Sequence, residues 1–334
     1  MMRKAARIPT RAVRQSACHR SGGFSLIELM IAMVIGLILT GGMILMFTSA
    51  NSNFQQLTNT SRQLENGRYA LQALRDDIRM AGFYGEFTQL LTPNALPLAC
   101  NMAELDNAWR RLPVQGAAAG GAAGVSGCLP DFLADTNVLV VRRASTVATP
   151  FVNLQDGVTY LQTRRENGIL QTLNVGDDPT AIFTLTNRDG TTPADVRRMM
   201  VNIYFVRGCS VCGAGGDNIP TLWRSELTGA GFVSTPIAAG IENMQLQYGI
   251  DSDGDGSPND YQAAPFADVA DWGDVVSVSV RLLARNTEAA AGHTDNRTYD
   301  LGNLSVGPFN DAFKRQVFTT VARVENLSSR RESP

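Results

Sequence analysis

Between Phe24 and Phe47 the chain carries a single charged residue, Glu28. Wound as a helix at about 1.5 Å per residue, this run reaches about 36 Å, enough to cross a bilayer. The residues before it are few and basic, and those after it have the composition of a water-soluble protein. The run therefore divides the chain into a leader, a membrane helix and a cargo. The 334 residues leave room behind the helix for one or two globular units.

The place of Glu28 discriminates between three readings, because a carboxylate in hydrocarbon costs about 2.5–3.5 kcal/mol on insertion scales. A secretory signal peptide would be cut after the apolar core, near Thr48-Ser49-Ala50, but its core would be too long and its Glu unexplained. A plain signal anchor accommodates the length and not the Glu. A cut between Gly23 and Phe24 keeps the helix in the product and puts Glu28 one turn from the new N-terminus. There it pairs with the α-amine of Phe24, its own or a neighbour's.

Charge supports this division. Arg3, Lys4, Arg7, Arg11, Arg14 and Arg20 all lie in the leader, which has no acid. Without these six the chain keeps 23 basic against 31 acidic residues, a net −8. The basic flank predicts a cytoplasmic leader and an external C-terminus. An acidic product excludes nucleic acid as a partner, since that needs a basic stripe.

Cysteine and histidine narrow the chemistry further. Cys18 leaves with the leader, so Cys100, Cys128, Cys209 and Cys212 face an oxidising compartment and form disulfides. Of the three possible pairings the local one, Cys100–Cys128 with Cys209–Cys212, is preferred. Cys209-Ser-Val-Cys212 also admits a redox pair or half of a zinc site. It sits between a strand-like run and Gly213-Ala-Gly-Gly216 rather than opening a helix, which weakens the redox reading. His293 is the one histidine after the leader, so multi-histidine metal sites are excluded. No nucleophile elbow accompanies it, and no catalytic residues are expected.

Along the chain, Gly36, Gly41 and Gly42 mark the membrane helix for close packing through small residues, or for local unwinding. A polar hinge, Thr48 to Asn53, comes next. Then Leu57, Leu64, Leu71 and Ile78 repeat every seven residues, with Leu74 and Ala81 alongside, predicting an amphipathic helix that stops at Gly82. Residues 83–135, with four prolines and the run Gly116 to Gly124, predict an irregular insertion. Beyond Thr136 the period becomes strand-like at 138–142, 181–185, 200–206, 232–235, 244–250, 275–283 and 316–324. The expected segments are thus 1–23 leader, 24–47 membrane helix, 48–82 amphipathic helix, 83–135 insertion and 136–334 β-rich head. The fold class is α+β, a long helix packed on an antiparallel head.

One loop within the head has metal-like spacing. Asp251, Asp253 and Asp255 stand at positions one, three and five, Gly256 at six, the Ser257 carbonyl at seven and Asn259 at nine. That arrangement suits Ca2+, yet position twelve is Gln262 instead of a bidentate Glu. A bare Asp-Gly hairpin turn fits equally.

The Gly23-Phe24 junction with Glu28 resembles the class III leader of type IV prepilins and type II secretion pseudopilins. The resemblance implies a pilin-like fold, cleavage at Gly23 and Phe24 by an inner-membrane aspartyl prepilin peptidase, N-methylation of Phe24, and an assembly role for Glu28. Three further stretches resemble PilW-type minor pilins: Glu65 to Gly85 with its Arg-x-Ala-Gly-aromatic ending, Asp271 to Arg285, and Arg315 to Asn326. PilW-like chains are often Asp/Gly-rich near the Asp251 loop too. The PilW resemblance implies a non-enzymatic minor pilin placed near a filament tip, priming pilus assembly and through pili supporting adhesion and twitching motility. Its implied partners are the other minor pilins, the major pilin, the inner-membrane assembly platform and a tip adhesin. Its implied location is the inner membrane, single-pass with a periplasmic head, and then the pilus at the cell surface. The alternative is the J-type minor pseudopilin of a type II secretion system.

Overall fold

A computed structural model describes residues 23–88, 90–117, 129–266 and 268–332. The basic leader up to residue 22, Cys18, most of the Gly/Ala run and Cys128 lie outside the described residues. The chain divides into two compact units, 1–55 and 56–334. One helix, α1 (Leu26–Met80), belongs to both.

In the first unit α1 is helical throughout, including the expected hinge. Thr48 keeps its hydroxyl inside the helix by donating to the Leu45 carbonyl (3.0 Å), so the polar stretch does not break it. The helix ends in the second unit as the sequence implies. Gly82 adopts φ 73°, where a side chain would be strained, and its N–H donates to the Arg142 carbonyl.

Among the described residues, the second unit adds to its part of α1 thirteen strands, three short α-helices and three 3-10 turns. The strands are β1 (Val114–Ala117), β2 (Val138–Ala144), β3 (Thr159–Arg164), β4 (Asn167–Thr172), β5 (Val196–Arg207), β6 (Thr221–Thr228), β7 (Gly231–Ala239), β8 (Ile241–Ile250), β9 (Asp260–Gln262), β10 (Val275–Arg285), β11 (Tyr299–Asp300), β12 (Ser305–Val306) and β13 (Arg315–Arg323). The helices are α2 (Leu105–Trp109), α3 (Pro179–Ile182) and α4 (Glu325–Arg331). A seven-stranded antiparallel sheet is centred on β5, which pairs β2 on one edge and both β3 and β6 on the other. A four-stranded sheet runs β13-β10-β8-β9. Asn137, just before β2, ties the two together: its N–H donates to the Met244 carbonyl and its Oδ1 accepts from Leu246 N.

β2 shows why both faces of the larger sheet are apolar. Leu139 and Val141 point into the cluster shared with the four-stranded sheet, while Val138 and Val140 point into a second cluster around Trp109. Alternation by two sends neighbouring residues to opposite faces, and here both faces are covered. The first cluster is also where α1 docks, through Ala70, Leu74 and Ile78, with Ala81 just beyond its end.

Four expectations change. Residues 181–185 are not a strand: Asp178 caps the Thr180 N–H (2.9 Å) and Pro179 opens α3, a helix start that outweighs β propensity. The segment from 83 to 135 is not all irregular. It contributes β1 to the sheet edge, and Trp109 is fully buried against Tyr84 and Phe87. The β3–β4 and β6–β7 hairpins add strands that the local period does not announce along most of their length. Finally, the buried face of α1 is not centred on the leucines. Leu57 is exposed and Leu64 and Leu71 only half-buried, whereas Gln63, Gly67, Ala70, Leu74, Asp77 and Ile78 are buried. Small and polar residues hold the centre because the helix sits close: a Cβ on Gly67 would lie 2.5 Å from the Phe318 ring.

Candidate functional site on the long helix

The helix starts on a reciprocal cap. Ser25 Oγ accepts from the Ile27 N–H (3.2 Å), and the Glu28 carboxylate accepts from the Ser25 N–H (2.9 Å). This is a capping box: two N–H groups that the helix geometry leaves unpaired are satisfied by side chains. A carboxylate at this end is also favoured by the helix dipole. Gly23 and Phe24 lie before the first turn, and Phe24 is 88% exposed. The Gly23-Phe24 bond is therefore outside the helix while Glu28 is inside it. The Ser-x-x-Glu pattern is present in the sequence, but reading Glu28 as an amine partner leaves Ser25 out.

Beyond the cap, no residue of the apolar run is buried, and the span meets the length and hydropathy of a membrane-crossing helix. The hydroxyl of Thr40 is satisfied within the helix, since its Oγ1 donates to the Gly36 carbonyl (2.6 Å). Gly36, Gly41 and Gly42 have open space where a Cβ would stand, so they present bare backbone to whatever adjoins them.

Among the polar contacts by which the second unit holds its part of α1, two come from buried side chains of the helix. Asp77 is buried and accepts from Arg143 (2.7 Å), Asn202 (2.7 Å) and Tyr204 (3.2 Å) on β2 and β5. Gln63 donates to the carbonyls of Ala284 (2.7 Å) and Lys314 (3.1 Å). Neither is signalled by the sequence, since their partners are far along the chain.

The remaining expected residues sit elsewhere in the head. Cys209 and Cys212 are bonded to each other, which leaves no thiolate for zinc. Cys100 is also disulfide-bonded. The carboxylates of Asp251, Asp253 and Asp255 do converge, to within 4.8 Å of one another, in the connection between β8 and β9. Asp251 accepts from the Gly254 and Gly256 N–H groups and from Arg331 of α4 (3.1 Å). Burial works against its charge, but the Gly256 N–H and the Arg331 guanidinium outweigh it and hold the carboxyl below the usual range. Asn259 commits its oxygen to Ser252, and Gln262 donates to Asp260. Ca2+ takes about six to eight oxygens. Three carboxylates, one already on an arginine, supply part of that set, and the arrangement fits a hairpin connection tied down by α4 as well as a loop whose cation takes its other oxygens from carbonyls and water.

Comparison with known proteins agrees with the helix-first organisation. Residues 18–44 match the prokaryotic N-terminal methylation motif, and residues 203–326 match the family of the type IV pilus-assembly protein W. Among solved structures, a type IV-like pilin from Thermus thermophilus aligns at 11% identity over 80% of this chain and 97% of its own, with a TM-score of 0.38. No curated protein matches the sequence.

Proposed function

We propose that this type IV pilin-like chain, a PilW domain behind a prepilin methylation motif, is a minor pilin that primes assembly of a type IV pilus at or near the filament tip. The observation that carries this reading is the order of parts on one chain: a methylation motif at residues 18–44, a membrane-length helix, and a PilW-matching head. The prepilin peptidase removes the leader at Gly23, and the new amine on Phe24 is methylated. The precursor's Glu28 is held by the Ser25 N–H, so its charge is partnered before the cut. After the cut the Phe24 amine, of the same or a neighbouring subunit, becomes a stronger, charged partner. The apolar half of α1 first resides in the inner membrane, with the head in the periplasm, and then packs among the helices of other minor pilins and the major pilin. Adhesion and twitching motility result from the presence of pili.

The test is genetic and biochemical. Deleting the gene is expected to reduce surface pili sharply, and the mature protein is expected in sheared filaments in amounts far below the major pilin. Normal piliation with a defect in export of folded proteins would instead identify a J-type pseudopilin.

A further inference from the structure

The head carries a cleft of about 520 Å³ between the segment after α1, the end of α4 and the residues before β10. Among the described residues, Arg111, Arg330 and Arg331 line it against one carboxylate, Asp274. Arg331 is already neutralised by Asp274 and Asp251. Arg330 is not: its Nη2 donates to two backbone carbonyls, Phe87 (2.8 Å) and Gly82 (3.4 Å), and its Nη1 is buried with no partner. A buried donor left unpaired costs free energy, and Arg330, half-buried, has no carboxylate among the described residues to offset its charge. Burial indeed pushes the Arg330 guanidinium below its ordinary value. The planar fork of a guanidinium matches the two oxygens of a carboxylate. Leu91 and Leu327 make part of the wall apolar, beside Thr88 and Thr92, which suits the methylenes behind an acidic side chain. Without its leader the chain has 31 acids to 23 bases, so its own copies offer many carboxylates and few spare cations.

We propose that this cleft is a carboxylate-binding site that receives an aspartate or glutamate side chain of a neighbouring subunit. The identity of the occupant rests on the pilin reading; the chemistry of the site does not.

Two arms test it. Full-length mature protein in detergent is melted with succinate, against sodium chloride at matched ionic strength and pH. Succinate is expected to raise Tm by about 2–4 °C over the chloride control at saturating concentration. Arg330→Gln is expected to abolish the shift. Because Arg330 also holds Gly82 and Phe87, Thr88→Glu is the second variant: Thr88 is exposed on the cleft wall, and a glutamate there supplies the anion in cis. It should raise Tm by itself and abolish the succinate response. No succinate shift in the wild type, or a shift that survives both variants, overturns the site. In the second arm, Thr88→Glu is expected to fall several-fold in sheared filaments while leader removal stays normal. Normal incorporation of that variant overturns the subunit as occupant and leaves a free carboxylate as ligand. Wild-type protein that never enters filaments overturns the pilin reading, and the subunit occupant with it, without touching the melting result.

Discussion

The two halves of α1 assign their side chains by opposite rules. From Leu26 to Gln55 the apolar residues are outside: Leu37, Ile38 and Leu45 are 74%, 69% and 72% exposed. From Gln56 to Met80 the most deeply placed residues include two polar ones, Gln63 and Asp77, at 5% and 6%. The apolar run of the first half is matched to a surrounding without water, where its backbone and the Thr40 hydroxyl are hydrogen-bonded within the helix and the Glu28 carboxylate is held by the Ser25 N–H. The second half is matched to one specific sheet, where a buried polar group is tolerated if its partners are built in. Hydrophobicity tells where the first half belongs; partner geometry tells where the second half belongs.

Substitutions in the two halves should therefore differ in kind. The largest effect is expected at Asp77→Ala, which leaves Arg143, Asn202 and Tyr204 without their acceptor; about 3–5 kcal/mol of head stability should be lost in denaturant melts of the full chain. A loss under about 1 kcal/mol would mean the polar anchor is dispensable. Next is Gly67→Ala, whose new Cβ meets the Phe318 ring at 2.5–2.8 Å; overpacking of this kind costs about 1–3 kcal/mol. Shortening Phe318 to Val in the same chain should recover part of that loss, and a strictly additive pair would deny the contact. Gln63→Leu comes third, at about 1–3 kcal/mol, because the Ala284 carbonyl loses the Gln63 amide and the Lys314 carbonyl keeps only the Asn286 N–H. Smallest is Ile38→Ala in the apolar half, expected within about 0.5 kcal/mol of wild type in the same head melts. A large effect there would collapse the distinction between the halves.

The same contrast separates what is legible in the sequence from what is not. The apolar half, the stop at Gly82 and the strands β2, β5, β8, β10 and β13 come out of composition and local period. The centre of the docking face does not, because counting leucines ignores a Gln and an Asp whose partners lie far away in sequence, Asn202 being 125 residues from Asp77. The same limit hides the hairpin β3–β4, whose polar residues carry little alternation, and the burial of Trp109 within a segment rich in proline. Within the candidate site, Glu28 is readable from its charge alone and Ser25 from the Ser-x-x-Glu spacing. The pairing of Arg331 with Asp251 is not, since it joins a loop to a helix at the far end of the chain.

The Gly23-Phe24 bond, which lies ahead of the Ser25–Glu28 cap and outside the helix, is where the pilin reading is decided. Intact-mass and N-terminal peptide analysis of the protein recovered from membranes and filaments reads it directly. The expected product is a chain beginning at N-methylated Phe24. A chain that keeps residues 1–23, or one that begins at Asn51 after loss of the apolar half, would contradict that reading.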